Sequence, residues 1–73
     1  MIGNAIERFR VNDSNSPSYT VYYKNSNGSC WCYSVNYNKK GLAILNPARR
    51  VTKTSYETTK KAVLDKTING CAF

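Results

Sequence analysis

The chain has 73 residues and a formal net charge of +7, because eleven Lys and Arg stand against four Asp and Glu and there is no histidine. Its length allows one small domain over residues 1–73 with a thin core, and 41% hydrophobic residues with a mean hydropathy of -0.54 exclude a disordered tail. The longest apolar run, Leu42 to Leu45, is too short to span a membrane and no charged-then-apolar leader begins the chain, so we expect a cytoplasmic protein.

The N-terminal segment fits two structures. The apolar residues Ile2, Ala5, Ile6 and Phe9 have the spacing of an amphipathic helix, whereas residues 8–11 alternate as a strand does. We favour a short helix and keep a strand over residues 6–11 as the alternative. A polar connection over residues 12–17 follows.

Two extended segments, at residues 18–24 and 30–37, are rich in Tyr, Val, Thr or Trp and predict a β-hairpin. Asn27-Gly28 between them would supply the positive φ angles of a two-residue turn. That turn pairs Lys24 with Trp31 and places Trp31 in the core, with Lys24 over its ring. The alternate face would then carry Tyr19, Val21, Tyr23, Cys30, Cys32 and Ser34.

A turn at residues 38–41 predicts a third strand from Leu42 to Leu45, with Leu42 and Ile44 on the Trp31 face, and Asn46-Pro47 ends it. Residues 48–53 fit either a strand or a loop. The Thr54–Glu57 spacing is that of a capping box, so a helix is expected from residue 55 to about residue 68, ended by Asn69-Gly70. The predicted fold class is α+β: a three- to four-stranded antiparallel sheet packed against a C-terminal helix, with a possible short N-terminal helix.

Residue types that enzymes and metal sites need are scarce. There is no histidine to act as a general base, and the carboxylates are limited to Glu7, Asp13, Glu57 and Asp65. Three cysteines, at positions 30, 32 and 71, are too few for a four-ligand zinc site and odd in number for a disulfide framework. We therefore expect no catalysis, metal or cofactor, and thiols that are structural.

The basic residues predict a polyanionic partner. They fall into three groups: Lys39 and Lys40 in a turn, Arg49, Arg50 and Lys53 before the last helix, and Lys60, Lys61 and Lys66 on it. A helix laid on a sheet would bring the second and third groups to one edge. Each Lys or Arg that neutralises a phosphate there releases counterions and so favours binding.

Aromatic side chains on the hairpin add a second binding feature. Tyr19 and Tyr23, beside Ser34 and Asn36 on a face that no helix covers, would offer rings for stacking and hydrogen-bonding groups. The plainer interpretation is that tyrosine is a good strand former. We expect a non-enzymatic protein that binds DNA, RNA or a nucleoprotein complex through Arg49, Arg50, Lys53, Lys60, Lys61, Lys39, Lys40, Tyr19 and Tyr23.

Two other functions remain open at this point. Exposed tyrosines and arginines could instead form the contact patch of an inhibitor that binds a protein target. The apolar segment from Leu42 to Leu45 could form a sheet edge that pairs with a second copy, which would make the protein a self-associating structural component.

The segment from Pro17 to Leu64 resembles a double-stranded RNA-binding domain. Pro17-Ser18-Tyr19 precedes the first strand, residues 31–37 occupy the place of the second, and Lys53-Thr54-Ser55 leads into the helix YETTKKAVLDK. This resemblance implies an α-β-β-β-α order and binding to double-stranded RNA. The basic residues Lys60-Lys61 come one turn later than the phosphate-clamping signature of that family.

The hairpin, third strand and helix also resemble the arm-binding domains of phage and transposon integrases. There a three-stranded sheet enters the major groove and a Thr-x-x-Glu step begins the helix, as Thr54 to Glu57 does here. That resemblance implies DNA contacts from Lys24, Arg49 and Arg50. In style, a short chain rich in Asn, Lys and Tyr is similar to phage-encoded early proteins, which implies inhibition of a host polymerase or a CRISPR effector (an anti-CRISPR protein) in the host cytosol.

Overall fold

A computed structural model describes residues 4–72, which form one helix and six strands of a single antiparallel sheet. The elements in chain order are β1 (Ala5–Asn12), β2 (Tyr19–Asn25), β3 (Cys30–Tyr37), β4 (Ala43–Leu45), β5 (Arg49–Val51), α1 (Lys53–Leu64) and β6 (Gly70–Ala72). The order across the sheet is β6, β1, β2, β3, and the outer edge of β3 pairs with both β4 and β5. The α+β class with one C-terminal helix is confirmed, and the sheet has more strands than the three or four predicted.

The N-terminal segment is strand β1, so the favoured helix is wrong over residues 5–9, and Ile2 lies outside the described residues. β1 pairs with β2 along one edge and with β6 along the other. These long-range pairings bind the backbone of β1 to β2 along one edge and, at residues 9–11, to β6 along the other, and they override the local helical spacing.

The turn between β2 and β3 lies where Asn27-Gly28 predicts it, but it contains one more residue. The amide of Asn25 donates to the carbonyl of Ser29, and Gly28, with a φ of 89°, donates to the carbonyl of Asn25. The loop therefore has three residues and ends on a glycine in the left-handed region. Lys24 consequently pairs with Cys30, and Trp31 pairs with Tyr23.

This one-residue difference moves the side chains of β3 to the opposite face from the one predicted. Cys30 and Cys32 face the helix, whereas Trp31 lies on the far side of the sheet. The turn at residues 38–41 is confirmed, with Gly41 at a φ of 82°. In β4, Ile44 pairs with Asn36, so Ile44 lies on the face opposite Trp31, contrary to prediction.

Helix α1 starts and ends earlier than predicted. Its N-cap is Thr52, whose side chain accepts the amide of Ser55, rather than Thr54. At the other end the amides of Lys66 and Thr67 donate to the carbonyls of Val63 and Ala62, with Lys66 at a φ of 60°. This is a Schellman motif in which lysine holds the position that usually takes glycine, and it releases the chain to form β6.

The core lies between α1 and the sheet. Tyr56 of α1 is 0% exposed and meets Phe9 edge-on, with ring centroids 5.2 Å apart. Phe9 in turn stacks on Tyr22 at 5.1 Å. Cys30 and Val63 complete this cluster, so the helix is held to the sheet mainly by aromatic packing.

Candidate nucleic-acid interface

The face of the sheet opposite α1 is built from arginines and aromatic residues. On β1, Phe9 lies in the core under α1, so by alternation Arg8 and Arg10 lie on the opposite face. The register then fixes the members contributed by the other strands. We call this set the arginine–aromatic face: Arg8, Arg10, Tyr19, Tyr23, Trp31, Tyr33 and Arg50.

One row of this face crosses four strands. Arg8 of β1 pairs with Tyr23 of β2, Tyr23 pairs with Trp31 of β3, and Trp31 pairs with Arg50 of β5. Two aromatic side chains are thus flanked by an exposed arginine at each end. In a neighbouring row, Arg10 pairs with Val21, and Val21 pairs with Tyr33.

Trp31 is oriented by the hairpin turn. Its indole Nε1 donates to the hydroxyl of Ser29 at 3.0 Å, and that hydroxyl donates to Asn27 Oδ1 at 2.6 Å. The guanidinium of Arg50 lies 5.9 Å from the centre of the Trp31 ring. The half-buried indole is therefore held in place on a sheet and not on a loop, which favours a preorganised contact surface.

Arg10 and Tyr19 form a second cation–aromatic pair. The Arg10 guanidinium lies 4.4 Å from the centre of the Tyr19 ring, and its Nε donates to Asn12 Oδ1 at 2.8 Å. A guanidinium that lies on a ring keeps its in-plane edge as a source of hydrogen-bond donors, and this hydrogen bond uses one of five N–H groups. The pair therefore combines an aromatic surface with a phosphate-binding edge.

Tyr23 supports this face without offering its ring. It is 1% exposed and packs against Tyr33, with ring centroids 6.2 Å apart. Burial, and to a smaller extent its neighbours Tyr33 and Cys32, raises the pKa of Tyr23. The aromatic surface that a ligand could reach belongs to the half-buried Tyr19, Trp31 and Tyr33.

Three of the four acidic side chains form ion pairs with lysines on the α1 side. Glu7 accepts Lys60 through both oxygens at 3.0 Å, Glu57 accepts Lys24 at 3.0 Å, and Asp65 accepts Lys61 at 3.1 Å. Asp13, the fourth acidic residue, lies in the loop after β1. The cations on the α1 side are thus partly neutralised, whereas among the described residues no ion pair joins a carboxylate to Arg10 or Arg50.

The ion pair at Glu7 is reflected in its titration. Burial alone would raise the pKa of Glu7, but the hydrogen bond from Lys60 and the charges of Lys60 and Lys24 hold the pKa below its usual value. The carboxylate is therefore charged at neutral pH. On the same side of the sheet, burial raises the pKa of the Cys32 thiol, although Arg49 opposes this, so Cys32 is kept as an inert apolar residue.

The structure separates the basic residues predicted to form one surface. Arg49 and Arg50 are consecutive on β5, so they point to opposite faces, with Arg49 on the side of Cys32. Lys53 begins α1 and lines a shallow cleft with Arg50. The remaining four divide between helix ion pairs (Lys60 and Lys61) and the exposed turn before β4 (Lys39 and Lys40).

Of the predicted site residues, Arg50, Tyr19 and Tyr23 therefore share a face, and sequence reasoning missed Arg8, Arg10, Trp31 and Tyr33 beside them. The two arginines of β1 could have been found from the alternation of residues 8–11, since it places both on one side of a strand. Trp31 could not, because its face depends on the length of the hairpin loop.

The β4 edge exposes several large apolar side chains. Leu42 is 62% exposed and Leu45 is 65% exposed, and β4 pairs with β3 along one side only. Such an edge offers backbone groups to another strand. Self-association through it stays a prediction, which sedimentation at two protein concentrations would test.

No protein-family model, curated protein or solved structure matches this chain. The resemblances to RNA-binding and integrase domains therefore stay predictions. Within residues 4–72 there is no helix of the length and apolarity needed to cross a membrane.

Proposed function

We propose that this protein binds nucleic acid without catalysing a reaction, and that it does so through the arginine–aromatic face. The observation that supports this most is the segregation of charge. Arg8, Arg10 and Arg50 flank aromatic side chains on one face, whereas Glu7, Glu57 and Asp65 lie on the α1 side.

The residue types on this face suit both parts of a nucleotide. Guanidinium groups match the geometry of phosphate and are always charged, and aromatic rings stack on bases. Lysines dominate the opposite side, where they are engaged with carboxylates. The contact surface therefore differs from the predicted edge of Arg49, Lys53, Lys60 and Lys61, in that it lies on the sheet and not along the helix.

Arg49 and Arg50 provide a matched test, because they are adjacent, exposed and equal in charge but point to opposite faces. We would measure binding of fluorescent single-stranded and duplex oligonucleotides by anisotropy, from about 50 to about 200 mM salt. Arg50→Ala should weaken binding and reduce the slope of log K against log salt by about 0.7 to 0.9. Arg49→Ala should change both quantities much less.

Three outcomes would contradict the proposal. Wild-type protein that binds neither oligonucleotide at low salt would reject nucleic-acid binding altogether. Equal losses for Arg49→Ala and Arg50→Ala would show that net charge acts without a defined face. A host protein that is captured after nuclease treatment, and is lost with Arg50→Ala, would make the face a protein-binding surface, as an inhibitor requires.

A further inference from the structure

The arginine–aromatic face is broader than the grooves of an undistorted double helix. Its central row runs from Arg8 on β1 to Arg50 on β5, across three spacings between adjacent strands. At about 4.8 Å per spacing the strand axes alone cover about 14 Å, whereas the major groove is about 12 Å wide and the minor groove about 6 Å. The whole row therefore meets an undistorted duplex from outside, at its phosphates, unless a groove is widened by bending of the DNA.

Against an intact duplex, the rings on this face could not stack on the bases. In a duplex the flat faces of the bases are covered by their neighbours, and only their edges are exposed in the grooves. Unpaired bases do present their faces, and stacking on aromatic side chains is the usual way in which proteins hold them. Half-buried Trp31, Tyr33 and Tyr19 are suited to that contact.

From this geometry, and resting on the proposed function, we infer that the ligand is a single-stranded nucleic acid whose unpaired bases stack on Trp31 and its aromatic neighbours. Phosphates of the strand are held by the arginines at the two sides of the row, Arg8 and Arg10 on β1 and Arg50 on β5. The ligand class is set by the base faces and phosphates, which single-stranded DNA and RNA share.

Trp31 is the principal stacking residue. Arg50 lies 5.9 Å from its ring, near the outer limit of about 6 Å for a cation–aromatic attraction. A base that stacks on the Trp31 ring would therefore disrupt only a weak contact between Arg50 and the ring. Arg10, by contrast, lies 4.4 Å from the Tyr19 ring, and a base would compete there with a close contact. The hydrogen bond from Trp31 Nε1 to Ser29 keeps the indole in one orientation.

Trp31 is also the sole tryptophan of the chain, so its fluorescence reports directly on this face. We would titrate the wild-type protein with unlabelled oligo-dT, oligo-U and a blunt DNA duplex, each of about 12 nucleotides or base pairs, within the range of known single-strand sites. The single strands should change the fluorescence and bind about 10-fold or more tightly than the duplex. With three arginines on phosphates, the salt slope for single strands should be about −2.

Substitutions separate the contribution of base stacking to affinity from the contribution of net charge. Trp31→Leu should lower single-strand affinity about 5- to 150-fold, the range for loss of one base–aromatic stack, whereas Trp31→Phe should keep most of it. Arg49→Ala serves as the control. Because the wild-type comparison of single strand with duplex needs no substitution, the inference stays testable even if Trp31→Leu fails to fold.

The outcomes separate this inference from the proposed function. Equal or tighter duplex binding would overturn the single-strand inference and leave nucleic-acid binding standing. Binding of single strands with unchanged Trp31 fluorescence and unchanged affinity in Trp31→Leu would overturn the stacking role. Failure to bind any of the three oligonucleotides at low salt would overturn both proposals. A difference between oligo-dT and oligo-U would show which of the two strands is preferred, through the sugar or the thymine methyl group.

Discussion

The two faces of the sheet are made from the same strands, yet they differ in charge and in what covers them. The face under α1 carries Phe9, Tyr22 and the Glu7–Lys60 pair, and it is closed by Tyr56. The opposite face carries arginines next to half-buried rings. On β1, Glu7 and Phe9 lie on the face under α1, and Arg8 and Arg10 lie on the opposite face, because alternate side chains of a strand point to opposite faces.

This difference suggests a division between folding and binding. Apolar and ion-paired residues on the α1 side supply contacts that hold the chain together. On the arginine–aromatic face, Arg10 and Arg50 form no ion pair with a carboxylate of the described residues, as a surface for an anionic partner requires. Substitutions on the α1 side should therefore act on stability, as should those of the buried Val21 and Tyr23 on the other face, whereas substitutions of its arginines and half-buried rings should act on binding.

The largest expected effect tests the α1 side at its centre. Tyr56→Ala removes a ring that is 0% exposed and contacts Phe9 and Tyr22, so it should lower the free energy of unfolding by about 3 to 5 kcal/mol. A small domain has a total of little more than that, so much of the variant should be unfolded. Urea unfolding followed by circular dichroism measures the change.

Tyr56→Phe is the matched control, since it keeps the ring. The Tyr56 hydroxyl is buried and has no hydrogen-bond partner of good geometry among the described residues, and burial, together with the nearby Glu7 carboxylate, raises its pKa. Loss of an unsatisfied hydroxyl should change stability by less than about 1 kcal/mol. A large loss in Tyr56→Phe would mean that the hydroxyl, and not the ring, holds α1.

A smaller effect is expected at the strand that sequence reasoning missed. A methyl group added at Gly70 of β6 would collide with the backbone carbonyl oxygen of Arg10 and press on Val63. Gly70→Ala should therefore lower the free energy of unfolding by about 1 to 3 kcal/mol, as overpacking does. If unfolding is unchanged, the pairing of β6 with β1 adds little to the stability of either face.

The smallest expected effect concerns pH. Because the pKa of Glu7 is lowered in the folded protein, its pairing with Lys60 stabilises the fold above the ordinary pKa of Glu, about 4.3, and the stabilisation is lost as pH falls through the folded value. Glu7→Gln should remove this part of the acid dependence and cost at most about 1 kcal/mol at neutral pH, since the pair is partly exposed.

Thermal unfolding of wild type and Glu7→Gln at several pH values checks this, with Asp65→Asn, which removes the more exposed pair with Lys61, as the comparison. Wild type and Glu7→Gln should converge in stability as the pH falls below the folded pKa of Glu7. Curves that stay parallel across the whole range would show that Glu7 contributes no pH-dependent stability.

Local signals in the sequence predicted several elements correctly. Gly28 and Gly41 mark the two turns, and both have positive φ angles that glycine adopts without strain. Segments rich in Tyr, Val and Trp predicted β2 and β3. The helix was expected from residue 55, and α1 begins two residues earlier, at Lys53. The end of the helix was predicted wrongly, because Lys66 takes the left-handed position and no glycine announces it.

The candidate site was predicted less well for a reason that concerns register. Arg50 and Tyr19 were expected and lie on the arginine–aromatic face, but Trp31 was expected in the core. One additional residue in the hairpin loop decides between these two positions. Likewise Arg49 appeared equivalent to Arg50 in the sequence, and only its pairing with Cys32 shows that it points the other way.

The sequence by itself determined the charge excess, the strand-rich composition and the positions of the turns, because these depend on residue type and near neighbours. Tertiary structure decided which side chains share a face. Side chains in a strand alternate with a period of two, so a shift of one residue in pairing exchanges the faces. Tertiary structure also decided that β6 pairs with one edge of β1 and that β5 pairs with β3. Such pairings join segments far apart in the chain and are stabilised only when the whole sheet forms.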